Sequence, residues 1–492
     1  MADHGLLRRS WPWALALVLL ILGGCAAGVV AGTAARGPRP VASAPAASSA
    51  VGARKAPVAR TAVTGADVFG VNEAVTIPRP WIERGLVAPE REEELLADDA
   101  RLARDLGVRI VRGPTQVYPY LDHLSLERSG WDFARADRWV RTVQAAGLEP
   151  QLMVGPWPGN QTANYTRHYV PEDMDAYTAY VRRVVERYDG DGVEDMPGLV
   201  RGVRYWEVDN EPDLHNSRPP RSANGRGGVE IGADPRDFQT PAQYAEVLIA
   251  SARAIRAAHP DALVLNAGFF SIKTPEGDAY VRALAEIPGV RDAVDVFSVH
   301  CYFEQDSLDP VSRTLAVAHD TFPGTPIWVT ETSVPARGEP EWQDEEWQAR
   351  MVVAIHGAFL AGGADRVFWH TLADPPPRAG ARATLPFSTN SLLRVLRDPI
   401  DRGGVGGPRV EDKPAGAVYR RLAATLAGAN PADLREEVAE GGRLLWTGDG
   451  WVAFWGTPRT PEGAGDVTDL LTGETRPPAR TVTAPAFVSA RP

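Results

Sequence analysis

Short apolar runs alternate with longer amphipathic stretches between about residue 66 and residue 428. Residues 67–71 and 108–112 have the composition of buried β-strands, whereas residues 92–106 carry leucines at helical spacing and are followed by Gly107, a typical helix-ending residue. The same alternation predicts further strands at 149–154, 203–208, 262–266, 294–299, 326–330 and 366–369. It predicts further helices at 132–146, 174–188, 241–258, 280–286, 311–318, 345–362 and 413–427.

Strict alternation of eight predicted strands with eight predicted helices is typical of a parallel sheet. Eight repeats over residues 66–428 favour closure into a (β/α)8 TIM barrel. An open doubly wound sheet is the competing architecture, but it would be expected to carry a glycine-rich phosphate turn after its first strand, and Val71-Asn72-Glu73-Ala74 is not one. Long connections at 213–240 and 373–412 follow predicted strands four and eight, at the end where barrel enzymes build their sites.

The two ends of the chain depart from this pattern. Residues 429–492 contain short β-rich runs separated by turn signals, which predicts a small antiparallel β module that either supports the barrel or binds glycan. Residues 1–24 have an apolar stretch too short for a clear membrane span and end in Leu22-Gly23-Gly24 before Cys25, which resembles a bacterial lipoprotein signal. This predicts export and lipidation at Cys25, with an uncleaved signal anchor as the alternative. The rest of the chain is predicted to be extracytoplasmic, as a membrane-anchored lipoprotein or as a secreted or periplasmic protein. Residues 25–65, rich in Ala, Pro and Ser, are predicted to be a flexible linker.

Composition narrows the classes of function. The net charge of −11 argues against a nucleic-acid-binding protein, because such proteins present a basic face. The two cysteines, Cys25 and Cys301, are too few for a disulfide framework or a four-ligand zinc site. The acidic residues lack the His and Cys spacing of a metal site, so neither a metal nor an organic cofactor is expected.

Two glutamates follow different predicted strands at the same rim of the barrel. Glu211 lies at the end of strand four in Trp206-Glu207-Val208-Asp209-Asn210-Glu211-Pro212, and Glu331 follows strand seven in Ile327-Trp328-Val329-Thr330. Cleavage of a glycosidic bond with retention needs two carboxyl groups about 5–5.5 Å apart, one as acid/base and one as nucleophile. The positions therefore predict Glu211 as the acid/base and Glu331 as the nucleophile, with the Asn210 amide binding a sugar hydroxyl.

The motif Trp206-Glu207-x-x-Asn210-Glu211-Pro212, with Thr330-Glu331 about 120 residues later, resembles the clan of retaining barrel glycosidases, of which families 39 and 5 are the most similar. The resemblance covers about residues 66 to 428. It implies that Arg112 pairs with the nucleophile and keeps it ionised, and that Trp369 forms the floor beneath the sugar. It also implies that the Tyr302 hydroxyl donates to the nucleophile and that His300 contacts the substrate or the acid.

Other rim residues have weaker support from the sequence. Trp157, Asn266, Asn72 and Glu73 each follow a predicted strand, but packing explains them equally well. Glu207 is predicted to be a buried polar group lower in the barrel. Asp209 departs from the clan, in which this position is often apolar or aromatic, and we expect its side chain to point outward.

The sequence as a whole predicts a glycosidase that cleaves an extracytoplasmic oligo- or polysaccharide by double displacement. Two alternatives remain: a transglycosidase on the same fold, and a catalytically inactive glycan-binding lipoprotein. Arginines at 218, 221 and 226 are compatible with an acidic glycan, although a solvated loop explains them more simply. The only predicted membrane association is through a lipid on Cys25.

Overall fold

The structure is a computed structural model of the full chain of 492 residues. The residues that it describes are 65–72, 82, 88–113, 130–156, 170–171, 173–213, 239–303, 305–336, 343–374, 389–396 and 409–491. The predicted signal, Cys25 and nearly all of the predicted linker lie outside these ranges, so the predicted domain boundaries remain predictions. Among the described residues, no helix combines the length and apolarity needed to cross a bilayer.

Strands and helices alternate through the first part of the chain. The strands are β1 Phe69–Asn72, β2 Ile110–Arg112, β3 Glu149–Val154, β4 Tyr205–Val208, β5 Leu263–Asn266, β6 Phe297–Tyr302, β7 Ile327–Ser333 and β8 Arg366–His370. The helices are α1 Glu92–Asp105, α2 Ala134–Ala145, α3 Met174–Glu186, α4 Pro241–Ala258, α5 Pro275–Ala285, α6 Val290–Ala293, α7 Asp309–Thr321, α8 Glu345–Ala361 and α9 Pro414–Thr425. Short 3-10 turns occupy Gly65–Val68, Pro89–Arg91 and Pro431–Asp433.

The eight strands form one parallel sheet in the order β5-β4-β3-β2-β1-β8-β7-β6. Parallel bridges between Leu265 and Val296 and between Phe269 and Val299 join the two edges, so the sheet closes on itself. The predicted (β/α)8 barrel is therefore confirmed.

Local sequence sets where the helices begin and end. Gly107 and Gly147 follow α1 and α2 with φ values of 93° and 79°, a left-handed conformation that glycine adopts without steric cost. At the start of α4, the Thr240 side chain accepts from the Gln243 amide and the Gln243 side chain accepts from the Thr240 amide, which forms a capping box. The predicted helix ends at these two glycines are confirmed.

The C-terminal part is a separate antiparallel sheet, as predicted. Its strands run in the order β11-β12-β13-β16-β14-β15, with bounds β11 Arg435–Ala439, β12 Gly442–Trp446, β13 Gly450–Gly456, β14 Ala464–Asp469, β15 Thr475–Arg476 and β16 Ala486–Ala490. A hairpin of β9 Leu393–Leu396 and β10 Arg409–Asp412 precedes it and was not predicted. Phe454 packs against α8 at Gly357, where an added Cβ would lie 2.5 Å from the Phe454 ring. This contact joins the sheet to the barrel.

Candidate active site

Side chains that point into the barrel form layers along its axis. The lower layer is an apolar cluster of Ile110, Tyr205, Leu263, Leu265, Val296, Trp328 and Phe368. Because successive strand residues face opposite sides, positions two residues further along these strands also point inward. On β2, β4 and β8 those positions are Arg112, Glu207 and His370. A polar layer therefore lies above the apolar one, towards the carboxyl ends of the strands.

Glu207 lies at the base of the polar layer and is fully buried. Its Oε2 accepts from Arg112 Nε at 2.5 Å and from Gln151 Nε2 at 2.7 Å, and its Oε1 accepts from the Gly268 amide at 2.9 Å and from Ser298 Oγ at 3.2 Å. Four donors from four strands or strand ends hold this carboxylate. The prediction that Glu207 is a buried polar group is confirmed, and its contacts give it the role of a structural anchor.

Arg112 connects this anchor to the rim. Its Nη1 donates to Glu331 Oε1 at 2.5 Å and to Asn72 Oδ1 at 3.3 Å, and its Nη2 donates to Asn210 Oδ1 at 2.7 Å. Burial alone would lower the pKa of Arg112, but the charges of Glu207 and Glu331 outweigh it and raise the pKa above its ordinary value. The guanidinium is therefore a permanent positive charge shared by an anchor carboxylate and the predicted nucleophile.

Glu331 is held in its ionised form. Burial opposes ionisation, but His300, which is protonated at the acid pH where Glu331 titrates, Arg112 and a hydrogen bond from Tyr302 outweigh it and lower the pKa of Glu331 to about 2. The Tyr302 hydroxyl donates to Glu331 Oε2, while Arg112 holds Oε1. Each oxygen of the carboxylate thus has its own donor, which fixes the orientation of the group.

Glu211 faces Glu331 across the mouth of the barrel. One oxygen of each carboxylate and one ring nitrogen of His300 all lie within 4.8 Å of one another. His300 Nδ1 is 2.7 Å from Glu211 Oε1 and 3.6 Å from Glu331 Oε2. Burial lowers the pKa of His300 to about 4, so the imidazole is neutral at pH 7. The structure thus brings the two predicted catalytic glutamates, Arg112, His300 and Tyr302 together in one cluster.

The segment after β4 differs from the prediction in its backbone. The strand ends at Val208, and Glu211 lies beyond it rather than at its end. Asp209 and Glu211 have φ values of 70° and 52°, in the left-handed region that non-glycine residues seldom occupy. Such conformations are concentrated at functional sites because surrounding contacts must hold them in place. The Asp209 side chain is fully buried, and its Oδ1 accepts from the Asn210 amide at 2.8 Å; its outward orientation stays a prediction.

Asp213 is a site residue that the sequence reasoning missed. Its side chain is fully buried, and its two oxygens accept from the Phe270 and Ser271 amides at 3.0 and 2.7 Å. Burial raises the pKa of Asp213 to about 6. Asp213 therefore ties the segment that carries Glu211 to the loop after β5. A carboxylate two residues after Glu211 was the available signal.

The assignment of Trp369 to the floor of the sugar site is wrong. Its side chain is fully buried, its Nε1 donates to the Asn390 carbonyl at 2.7 Å, and its ring stacks on His356 of α8 with centroids 6.0 Å apart. It therefore lies on the outer face of β8, between the strand and the helices. Strand parity is the reason, because Phe368 faces the interior and its neighbour must face out.

His370 occupies the inward position instead. Its Nδ1 is 2.9 Å from Asn72 Nδ2, and its ring meets the Tyr302 ring edge-on with centroids 5.9 Å apart. Arg112 donates to Asn72 Oδ1, so the Asn72 amide group directs its Nδ2 towards His370. His370 Nδ1 therefore accepts this hydrogen bond, and a neutral ring carries its proton on Nε2. Asn72 and His370 thus belong to the network around Glu331.

The weaker candidates divide into two groups. Asn266 is buried and bonds to the backbone of Ser298, accepting from its amide at 2.8 Å and donating to its carbonyl at 2.8 Å, so it joins β5 to β6. Cys301 is buried and faces Thr314. Candidates that lie outside the described residues are Trp157, Glu73, Cys25 and the three arginines at 218, 221 and 226.

Among the residues that the structure describes, two groups of side chains have the geometry to hold a cation. Glu211, His300 and Glu331 form one, and Glu186, Asp189 and Asp191 near the end of α3 form the other. In the first group, Glu331 is already paired with the Arg112 guanidinium. A metal ion there would have to share this carboxylate with a fixed positive charge, so the surroundings disfavour metal binding.

Comparison with known proteins gives a likeness of fold. No protein-family model matches the chain, and no curated protein matches it. A family 39 glycoside hydrolase from Bacteroides cellulosilyticus WH2 aligns at 14% identity over 87% of this chain and 80% of that chain, with a TM-score of 0.55. A family 51 α-L-arabinofuranosidase from Bifidobacterium longum aligns at 12% identity over 87% of this chain and 96% of that chain, with a TM-score of 0.52. A family 39 β-xylosidase from Caulobacter crescentus aligns at 18% identity over 87% of this chain and 97% of that chain, with a TM-score of 0.50. At these identities the comparison shows a shared barrel fold.

Proposed function

We propose that this protein is a retaining glycoside hydrolase in which Glu211 is the acid/base and Glu331 is the nucleophile. The observation that carries the proposal is the placement of their carboxylate oxygens within 4.8 Å of each other at the mouth of the barrel. Retaining enzymes place the two carboxyl groups close together, about 5–5.5 Å apart, so that one can attack directly, whereas inverting enzymes separate them by about 6.5–9.5 Å to admit a water molecule. The structural relatives named above are glycoside hydrolases, which is consistent with the proposal.

The surroundings of each glutamate support the division of roles. Ionised Glu331, held by Arg112 and Tyr302, attacks the anomeric carbon while Glu211 gives its proton to the departing oxygen. Glu211 then takes a proton from water, which attacks the glycosyl-enzyme and releases the sugar with retained configuration. Because Asn210 presents Oδ1 to Arg112, its Nδ2 group is left to donate to a sugar hydroxyl.

A screen of aryl-glycosides with different sugars tests this function. We expect turnover of at least one sugar, with loss of activity by about a factor of 10³ or more in Glu331→Ala and partial rescue of that variant by azide. Glu346→Gln, on the exposed side of α8, is the matched control and should retain full activity. Proton NMR during turnover should show the retained anomer first. Turnover that survives in Glu331→Ala, or an inverted first product, would contradict the assignment.

We further propose, from the sequence, that the protein is exported and anchored to the membrane through a lipid on Cys25. Outside the cytoplasm it acts on an oligo- or polysaccharide. In a bacterial host, Cys25→Ser should move the protein from the membrane fraction to the soluble fraction. Equal partitioning of the two forms would contradict the lipid anchor.

The enzyme should keep its activity in the presence of EDTA, because no step of the proposed mechanism uses a metal.

A further inference from the structure

The loop between β5 and α5 carries a partly exposed aromatic residue, Phe270, into the mouth of the barrel. The loop is fixed at several points: the Gly268 amide donates to Glu207 at 2.9 Å, and the Phe270 and Ser271 amides donate to Asp213 at 3.0 and 2.7 Å. The Phe270 ring lies 6.0 Å from the ring of Tyr302, the residue that contacts Glu331. Its position is therefore set by the same contacts that build the catalytic cluster.

This loop lies on the side of the acid/base. Asp213, which holds it, is two residues after Glu211. His300, which contacts Glu211 at 2.7 Å, packs so closely against Gly268 that an added Cβ there would lie 2.0 Å from His300 Nε2. In double displacement the acid/base protonates the oxygen of the leaving group, so the leaving group lies on this side of the bond that breaks. Phe270 is thus placed to contact the leaving group.

Lys273 places a positive charge beside the ring of Phe270. Its ammonium lies 4.9 Å from the centre of the Phe270 ring and donates to the Tyr302 carbonyl at 3.2 Å. Lysine has three N–H donors, so this carbonyl uses one of them. Within the described ranges, no carboxylate forms a salt bridge with Lys273, although most of the partly buried arginines there have one. The ammonium is therefore a positive charge that an anionic ligand would neutralise.

We propose that Phe270 and Lys273 form the binding site for the leaving-group residue, and that this residue carries a carboxylate, as a uronic acid does. The ring of Phe270 supplies an apolar surface for the sugar, and the ammonium of Lys273 pairs with the carboxylate. The inference rests on the proposed function, because it takes the leaving-group side from the role of Glu211. It goes beyond that function by naming a substrate class.

Two aryl-glycosides of the sugar identified in the screen test the proposal, one with a neutral nitrophenyl leaving group and one with a carboxylate-bearing nitrophenyl group. In Lys273→Met, we expect KM for the carboxylated substrate to rise about tenfold and KM for the neutral substrate to change less than twofold, as one lost charge-assisted contact predicts. In Phe270→Ala, KM should rise for both substrates. Arg282→Met, which removes an exposed charge from α5, is the control and should affect neither.

The outcomes separate this inference from the function on which it rests. Wild-type turnover that is lost in Glu331→Ala supports the glycosidase assignment whatever Lys273 does. Equal effects of Lys273→Met on both substrates, or no effect on either, would then overturn the carboxylate site alone. If no aryl-glycoside is turned over, the proposed function fails and the inference fails with it.

Discussion

Replacing Tyr302 by Phe tests how Glu331, the proposed nucleophile, is kept ionised. The hydroxyl of Tyr302 donates to Glu331 Oε2, and Arg112 occupies the other oxygen, so the substitution removes one of two known donors and leaves the charge of Arg112 in place. A hydrogen bond to a charged group contributes about 1.5–3 kcal/mol. At about 1.36 kcal/mol per pKa unit, its loss should raise the pKa of Glu331 by about 1 to 2 units.

The acid limb of the profile of kcat/KM against pH reports this change, because it follows the ionisation of the free enzyme. With the pKa of Glu331 at about 2, the wild-type profile should stay flat well into the acid range. The Tyr302→Phe profile should begin to fall at a pH about 1 to 2 units higher. The position of the limb is read independently of any change in the height of the plateau.

Tyr177→Phe is the matched control, since it removes a buried hydroxyl that bonds to Ser251 Oγ at 2.8 Å between α3 and α4. It should lower the free energy of unfolding by about 1 kcal/mol without moving the acid limb. Circular dichroism at each pH would show that both variants remain folded. If the acid limb of Tyr302→Phe coincides with that of the wild type, the Tyr302 hydroxyl does not lower the pKa of Glu331. An equal shift of the acid limb in Tyr177→Phe would contradict the same conclusion.

Three further substitutions test the network around the site. Arg112→Met leaves Glu207 buried without its cation and should lower the free energy of unfolding by about 3–5 kcal/mol in a urea titration; an unchanged midpoint would refute the ion pair. Since burial raises the pKa of Asp213 from 3.8 to about 6, the folded state holds that proton more tightly than the unfolded chain, and stability falls as pH rises through this interval. Relative to Asp213→Asn, the wild type should lose roughly 3 kcal/mol of unfolding free energy across this pH interval. Parallel curves of unfolding free energy against pH for the two proteins would refute the pKa shift. Gly268→Ala should displace His300 and reduce kcat/KM about tenfold. In a His300→Ala background the same substitution should reduce kcat/KM little further, because the side chain that it displaces is already gone. Additive losses would show that the two residues act independently.

Much of the barrel could be predicted because its signal is repeated eight times. Each apolar run and each amphipathic stretch is short and ambiguous by itself, but strict alternation leaves few architectures. The β9–β10 hairpin was missed because it lies inside a connection rich in Gly, Pro and Arg, where no period is visible. Individual bounds also moved: the fourth strand begins at Tyr205, two residues later than predicted, because flanking residues contribute apolar side chains without joining the ladder.

The site was predictable where strand ends alone decide the position. Glu331, Arg112 and Tyr302 end strands or lie near their ends, and parallel strands bring their carboxyl ends to one rim. Trp369 and His370 show the limit of this reasoning. All residues of β8 are buried, so the sequence has no alternation to show which of them faces inward. Because the register between β7 and β8 is irregular, the position of Glu331 on β7 does not show which residues of β8 face the barrel interior.

Asp209 shows a second limit. A charged residue is more often exposed than buried, so the complete burial of Asp209 could not be predicted from its residue type. The left-handed backbone at Asp209 and Glu211 turns the chain sharply after β4, and no sequence pattern of non-glycine residues predicts such a turn. Loop conformation, rather than residue type, aims Glu211 at Glu331.

The charges of the cluster explain why, in the proposed mechanism, Glu211 and not Glu331 holds the proton. Arg112 is the permanent cation that the described residues of the cluster share, and Glu207 and Glu331 both pair with it. His300 is neutral at pH 7 because burial lowers its pKa to about 4. An added negative charge on Glu211 would lie within 4.8 Å of Glu331, so like-charge repulsion opposes it. When Glu331 becomes a neutral ester in the glycosyl-enzyme, that repulsion ends and Glu211 can accept a proton from water. The position of Arg112 beside Glu331 thus supports the proposed roles of the two glutamates.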